Sequence, residues 1–169
     1  MKLIIAVLLL TIGTFAQNTK YKDGTDCECD SIFIIYKSGA IWMELPYIND
    51  KLNGVAKLYY ESGALHIETP YKNGNRNGVE KLYYDSGSLM EEVPYINGVR
   101  NGIWKTYYES GAIWEEQPYI NYKAHGVSKT YYESGALHME TPYIKGTING
   151  IVKTYFENGK LAGNPFKKC

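Results

Sequence analysis

Side chains that could act as acids and bases recur in this chain at a fixed step of 24 residues. A glutamate beside a lysine can transfer a proton or form an ion pair. A catalytic pair occurs once in a protein, whereas this pair returns in every repeat. We therefore expect structural ion pairs, and no catalytic residue. The residues concerned are Lys57, Lys81, Lys105, Lys129 and Lys153, with Glu44, Glu68, Glu92, Glu116 and Glu140.

Histidines are the other candidates for a general base or for metal ligands, and they stand at 66, 125 and 138. His66 and His138 occupy the same position of the repeat, three repeats apart. At about 4.8 Å per strand they would lie roughly 29 Å apart, too far to share an ion. The sequence therefore predicts surface histidines, no metal site and no cofactor.

These residues belong to a repeat whose clearest copy is Asn53–Tyr71, with the sequence N-G-V-A-K-L-Y-Y-E-S-G-A-L-H-I-E-T-P-Y. Two runs rich in β-branched and aromatic residues flank Ser62-Gly63. This pattern predicts a β-hairpin with a two-residue loop, since glycine accepts the positive φ of a tight turn. The glycines expected to close the hairpins are Gly39, Gly63, Gly87, Gly111, Gly135 and Gly159.

A second set of turns is expected between the hairpins, at the Asn-Gly pairs 53–54, 77–78, 101–102 and 149–150. Helix is disfavoured, because glycine and proline occur in every repeat and no apolar period of 3.6 residues is present between them. The fold class predicted is all-β, as an elongated single-layer antiparallel sheet of six tandem 24-residue hairpins. The prolines expected to end the second strand of a hairpin are Pro46, Pro70, Pro94, Pro118 and Pro142.

A two-residue loop at Ser62-Gly63 sets the register of the hairpin. It places Lys57 opposite Glu68, and the same pairing follows in four successive hairpins, which fixes the register. Alternation along the strands then predicts two faces. One face would carry Val55, Lys57, Tyr59, His66 and Glu68, and the other, more apolar, Ala56, Leu58, Tyr60, Leu65, Ile67 and Tyr71.

One position of the repeat varies between aromatic, histidine and methionine side chains, while most positions are near-uniform. Uniform positions build a scaffold and variable ones can carry specificity, and tryptophan and tyrosine are enriched in binding hot spots. We predict that this column, with the tyrosines expected across from it, binds the partner, and that Trp104 lies on the opposite face. The residues are Trp42, His66, Met90, Trp114 and His138, with Tyr59, Tyr83, Tyr107 and Tyr131.

The chain has 169 residues and zero formal net charge, with arginine only at positions 76 and 100. That balance argues against an electrostatic nucleic-acid binder. Lys2, the apolar run Leu3–Ile12 and the tripeptide Thr14-Phe15-Ala16 are typical of a signal peptide, and no lipoprotein cysteine follows. We expect a signal peptide over 1–16, a flexible arm over 17–30, the array over 31–162 and a tail over 163–169, in a secreted, periplasmic or cell-surface protein.

Three cysteines, at 27, 29 and 169, leave at least one without an internal partner. A bond from Cys169 to the first two would cross most of an array about 55 Å long, at about 4.8 Å per strand. It forms only if the arm folds back, so a local bridge or an intermolecular disulfide through Cys169 is easier. A metal site of C-x-C with Asp30 lacks a second half.

The half-repeat N-G-x-x-K-x-Y-Y-E-S-G-x-L resembles the MORN repeat variant family, whose members include bacterial proteins labelled YwqK-type antitoxins. The matching residues are Gly54, Tyr59, Tyr60, Gly63 and Leu65, with their equivalents 24 residues on, over about residues 31–162. The resemblance implies an elongated sheet of hairpins that binds proteins or membranes. With a signal peptide, it implies an immunity-like partner of a secreted toxin.

The expected function is a secreted or envelope, non-catalytic scaffold that binds a protein partner. The alternative is a glycan or cell-wall binding module that uses the aromatic face. In the first case the Tyr60 column packs the sheet together, and in the second part of it stays open for a sugar or a peptide.

Overall fold

The computed structural model describes residues 15–20 and 29–163. The predicted signal peptide over 1–16, except its last two residues, lies outside the described residues and stays a prediction. Cys27 and Cys169 also lie outside, so the disulfide expectations stay open.

All strands of the described residues join one antiparallel sheet of 18 strands. The long strands are β1 (Phe15–Lys20), β2 (Cys29–Ile35), β3 (Ile41–Ile48), β5 (Gly54–Tyr59), β6 (Leu65–Lys72), β8 (Gly78–Tyr83), β9 (Leu89–Ile96), β11 (Gly102–Tyr107), β12 (Ile113–Ile120), β14 (Gly126–Tyr131), β15 (Leu137–Ile144), β17 (Lys153–Tyr155) and β18 (Leu161–Gly163). Two-residue strands lie between the hairpins: β4 (Lys51–Leu52), β7 (Asn75–Arg76), β10 (Val99–Arg100), β13 (Lys123–Ala124) and β16 (Thr147–Ile148).

Six hairpins follow one another as a meander, in which each hairpin pairs with the next. β5 pairs with β6 inside a hairpin, and β6 pairs with β8 of the following one. The described residues contain no helix. The predicted all-β fold, with a single open antiparallel sheet of tandem hairpins, is confirmed.

The first strand, β1, lies where the sequence predicts a cleavage point and a flexible arm. It pairs with β2 from Phe15–Ile35 to Lys20–Asp30, and β2 begins at Cys29, two residues before the predicted array. The physical reason is that the outer edge of β2 would otherwise leave its backbone groups unpaired.

The hairpin loops have three residues, so the predicted two-residue loop is wrong. The amide of Tyr60 donates to the carbonyl of Ala64, and the amide of Gly63 donates to the carbonyl of Tyr60. Gly63 has φ +90°, which is the conformation of a three-residue hairpin turn. The register then shifts between Leu58 and Tyr59, so that Tyr59 pairs with Leu65.

This shift is a β-bulge, and it changes the neighbours of the predicted binding column. His66 is the extra residue opposite Tyr59. Further from the loop, Lys57 pairs with Glu68 and Leu58 with Ile67, as predicted. Leu65 therefore belongs with Tyr59 on one face, and its predicted place on the Tyr60 face is wrong.

The turns between hairpins lie four residues before the positions that the sequence indicates. The chain reverses at Asn73-Gly74, where φ is +51° and +83°, as a type I′ turn requires. Asn77-Gly78, predicted to be the reversal, instead joins β7 to β8. There the Asn77 amide donates to the carbonyl of Pro70.

The prolines lie inside the second strands, and β6 continues two residues past Pro70 to pair with β7. The pairing of β6 with the next hairpin, however, stops at Glu68–Lys81. Proline has no amide hydrogen to donate. The predicted strand end is therefore wrong for the hairpin, although the inter-hairpin ladder does stop before Pro70.

Among residues 31–163, the few buried side chains lie on one face of the sheet, in the columns of Ala56, Leu58, Thr69 and Tyr71. Four of them are apolar or aromatic: Ala56, Val93, Tyr95 and Val152. Five are polar: Thr69, Thr106, Gln117, Ser128 and Thr141. The opposite face carries exposed apolar residues such as Val55 and Ile103. The face that the sequence predicts to be more apolar is thus the more buried one, although several of its buried side chains are polar.

A matched pair of glycine substitutions separates backbone strain from contact. Both Gly78 (φ +128°) and Gly111 (φ +88°) adopt conformations that L residues avoid, but only at Gly78 would a Cβ meet another atom, Pro70 Cγ at 2.7 Å. We expect Gly111→Ala to lower the free energy of unfolding by about 1 kcal/mol. Gly78→Ala should cost about 2–3 kcal/mol, as measured by urea denaturation.

The control is the double variant Gly78→Ala/Pro70→Ala. Removing the proline ring should make the double variant more stable than the two separate costs imply. Equal losses for Gly78→Ala and Gly111→Ala would contradict the role of the glycine–proline contact.

Candidate partner-binding surface

One face of the sheet, here called the ladder face, carries the columns of Val55, Lys57, Tyr59, Leu65 and Glu68. Each of Lys57, Lys81, Lys105 and Lys129 stands between two glutamates, one in its own hairpin and one in the preceding one. Lys57, for example, pairs with Glu68 and with Glu44. Ion pairs of 3.4–3.9 Å join Lys57 to Glu44, Lys81 to Glu68, Lys105 to Glu116 and Lys153 to Glu140. Three of these four connect neighbouring hairpins.

The tyrosines of the Tyr59 column complete this ladder. The Tyr59 hydroxyl donates to Glu44 at 3.1 Å and the Tyr83 hydroxyl to Glu68 at 2.7 Å. Tyr107, Tyr131 and Tyr155 repeat the bond at 2.8–2.9 Å. Glu44, Glu68 and Glu140 are thus each shared by a tyrosine and a lysine of the next hairpin, whereas Glu116 joins Tyr131 of the next hairpin to Lys105 of its own. The ladder face repeats these residue types almost unchanged.

The predicted binding column lies elsewhere, against the Tyr60 column. The rings of Tyr60 and His66 stack with their centroids 4.1 Å apart, and Trp114 lies beside Tyr108 at 6.5 Å. Trp42 and His138 contact Tyr36 and Tyr132 in the same way. The predicted place of this column, across from Tyr59, Tyr83, Tyr107 and Tyr131, is therefore wrong, because the bulge turns it to the other face.

The face that carries the Tyr60 column is here called the variable face. Besides the predicted binding column it contains two further columns. The Ala56 column reads Ala, Glu, Trp, Ser and Val along the array, and the Thr69 column reads Thr, Val, Gln and Thr. Trp104 belongs to the Ala56 column, so its predicted position on the face opposite Trp114 is also wrong. Trp114 is 48% exposed, His138 is exposed, and Trp42, His66 and Met90 are half-buried.

Hydroxyl groups of the Tyr60 column tie each hairpin to the next. The Tyr60 hydroxyl donates to the carbonyl of Tyr83 at 2.7 Å, and Tyr84 and Tyr108 donate to Tyr107 and Tyr131. This supports packing as the role of these rings. In four hairpins this ring also lies beside the residue of the predicted binding column.

A row of arginine and tyrosine side chains also lies on the variable face, near the turns between hairpins. The sequence analysis did not predict it. Arg76 lies with its guanidinium carbon 4.0 Å from the ring centre of Tyr95 and donates to that hydroxyl at 2.7 Å. Arg100 lies over Tyr119 at 5.1 Å. The signal in the sequence was that the two arginines stand 24 residues apart.

The centre of the variable face is polar and internally bonded. The indole of Trp104 donates to Glu91 at 2.5 Å, and the Ser128 hydroxyl donates to Glu115 at 3.2 Å. The hydroxyls of Thr106 and Thr130 are buried and have no hydrogen-bond partner among the described residues.

In the described ranges 15–20 and 29–163, no group of three or more histidine, cysteine or acidic side chains could hold a metal ion. Over the same residues, no helix is long and apolar enough to cross a membrane.

Comparison with known families finds five tandem matches to the MORN repeat variant. They cover residues 52–73, 76–97, 100–121, 124–145 and 148–163, which is more than half of the chain. The hairpin of β2 and β3 precedes the first match. Comparison with curated proteins finds no match.

The ladder predicts a distinctive alkaline titration. Burial, together with the hydrogen bond to Glu68, raises the pKa of Tyr83 from 10.0 to about 12. A pKa that is raised by folding stabilises the protein fully below pH 10, and the stabilisation disappears as the pH rises through 12. We expect the free energy of unfolding to fall between pH 10 and 12, measured by urea denaturation at each pH.

The matched control is Glu68→Gln, which removes the carboxylate next to Tyr83 but leaves Tyr131, whose pKa is raised to about 12 by burial and by Glu116. Carbon-13-labelled tyrosine followed by NMR should show a lower pKa for Tyr83 alone. A Tyr83 that titrates near 10 in the unaltered chain would contradict the shared-carboxylate geometry.

Proposed function

The chain belongs to the MORN repeat variant family, and from this architecture we propose that it is a secreted or envelope, non-catalytic scaffold that binds a protein partner. The ladder face and the hairpin joints serve the architecture itself. The variable face is the surface on which the repeats differ, and it supports the proposal.

The observation that carries the proposal is the unequal regularity of the two faces. A partner on the ladder face would meet the same lysine, glutamate and tyrosine again after two strands, about 9.6 Å further along. It could shift by one repeat without loss of contacts. On the variable face such a shift exchanges Trp114 for Met90 or His138, so a single position is favoured.

Trp114 is the strongest candidate for the centre of the interface. Its ring is 48% exposed, lies beside Tyr108 and stands near the middle of the array. Large aromatic side chains in such positions dominate the energetics of protein interfaces. The exposed part of the ring is the area that a partner would cover.

The partner class suggested by the resemblance to labelled antitoxins is a toxin, which would make the chain an antitoxin- or immunity-like protein. The predicted signal peptide places their encounter at the cell envelope or outside the cell. The balanced charge of the chain fits a protein partner better than a nucleic acid.

Glycan or cell-wall binding is the second candidate, and the regular spacing of aromatic pairs favours it. Tyr36–Trp42, Tyr60–His66, Tyr108–Trp114 and Tyr132–His138 recur in register with the repeat. Aromatic faces that recur at a fixed interval suit a polymer that also repeats. The variation among the four pairs counts against a uniform polymer.

The test is Trp114→Ala, with Ile103→Ala as the matched control on the ladder face, since Ile103 is 50% exposed. Loss of a hot-spot ring costs about 2 kcal/mol, which lowers affinity roughly thirtyfold. We expect Trp114→Ala to abolish capture of the partner from a cell-envelope extract with little change in Tm. Ile103→Ala should retain capture.

Trp104→Ala completes the set. It should lower the Tm, because it removes the hydrogen bond to Glu91. Capture that survives Trp114→Ala, or a glycan array that binds the chain through Trp42 and Trp114, would contradict the protein-partner proposal.

A further inference from the structure

The only two arginines of the chain occupy the same position in neighbouring repeats. Arg76 belongs to β7 and pairs with Tyr71, while Arg100 belongs to β10 and pairs with Tyr95. Because each guanidinium leans over the tyrosine of the next hairpin, the side chains alternate along the variable face. This row, Tyr71, Arg76, Tyr95, Arg100 and Tyr119, is here called the arginine row.

The two arginines differ in one respect. Arg76 has a carboxylate partner, Glu80, at 3.6 Å, and Glu80 is further held by the Thr69 hydroxyl at 2.8 Å. The residue equivalent to Glu80 in the next repeat is Trp104. Arg100 therefore has no carboxylate within ion-pair distance among the described residues, although it has the same tyrosine neighbours.

We propose that Arg100, flanked by Tyr95 and Tyr119, binds a carboxylate of the protein partner, which supplies the charge that Glu80 supplies to Arg76 in the preceding repeat. This inference rests on the proposed function and specifies its ligand chemistry. A planar guanidinium held on an aromatic ring presents its donors in a fixed fork, which matches a carboxylate in two-point contact.

The surroundings favour a singly charged carboxylate over a phosphate. Arg76 is already paired with Glu80, so Arg100 offers one positive charge. Glu91 lies on the same face and accepts a hydrogen bond from Trp104. A doubly charged phosphate would face that carboxylate with one arginine to balance it.

The position of Arg100 relative to Trp114 defines the shape of the occupant. Arg100 lies over Tyr119, and Trp114 is five residues earlier on the same strand, β12. Five residues of strand span about 17 Å. The occupant is therefore an extended acidic segment of the partner, with its carboxylate near the inter-hairpin turns and an apolar side chain near Trp114.

Two arginines give two Nε signals in an NMR spectrum of nitrogen-15-labelled protein, and these report the two sites separately. The probe is a capped peptide with one glutamate, set against the same peptide with glutamine and against inorganic phosphate. We expect the glutamate peptide to shift the Arg100 signal saturably and the Arg76 signal much less. The glutamine peptide should shift neither.

Two variants test the assignment. Trp104→Glu restores the carboxylate that the preceding repeat has, and it should remove the response of Arg100. Trp104→Glu also removes the hydrogen bond from Trp104 to Glu91, which can destabilise the fold. Arg100→Lys is therefore the second variant, because it changes only the guanidinium. It keeps the charge but not the fork, and fluorescence anisotropy should show about tenfold weaker binding of the labelled glutamate peptide.

Equal shifts of both arginines, no shift, or unchanged peptide affinity in Arg100→Lys would each overturn the proposal. A phosphate response stronger than the peptide response would overturn the carboxylate assignment. Failure here is distinct from failure of the scaffold proposal: partner capture that depends on Trp114 but survives Arg100→Lys leaves the proposed function in place.

Discussion

The glutamate shared between two hairpins is the contact on which the rest of the sheet depends. Backbone pairing across the joint of β3 and β5 involves only two residue pairs, fewer than the six within the hairpin of β5 and β6. Glu44 strengthens this short joint because it accepts a hydrogen bond from the Tyr59 hydroxyl and forms an ion pair with Lys57. On the opposite face, the Tyr60 hydroxyl reaches the backbone of the next hairpin.

Because the sheet is a single layer, its stability comes from such joints rather than from a central core. Few side chains are buried in the part of the chain whose burial the structure describes, and more than half of those are polar. Exposed ion pairs contribute little individually, roughly 0–1 kcal/mol. Three of the five joints, however, combine one with two tyrosine hydrogen bonds and a glycine–proline contact, and the other two joints have the same hydrogen bonds and glycine–proline contact. Each hairpin is stabilised by its two neighbours, as in other repeat arrays.

The architecture could be predicted from the sequence, because the 24-residue step and the Lys57–Glu68 register have few alternatives. The length of the hairpin loop could not be predicted, since Ser62-Gly63 fits both a two-residue loop and a three-residue loop. The bulge at His66 could not be predicted either, because it leaves no signal in the composition. The reversal at Asn73-Gly74 competed with an equally suitable Asn77-Gly78. The loop length and the bulge decide on which face Trp114 lies. The sequence therefore identified the residues of the candidate site, but not the side chains that surround them.

The hydroxyl bonds of the Tyr60 column run in one direction, from each hairpin to the one after it, and the array therefore resembles a polymer with a head and a tail. Tyr132 donates to the carbonyl of Tyr155. In the next unit Phe156 takes the tyrosine's place, and its exposed ring has no hydroxyl to donate. Phe156 thus interrupts this polarity: the carbonyl of its neighbour Tyr155 accepts the bond from the preceding unit, and Phe156 itself donates none.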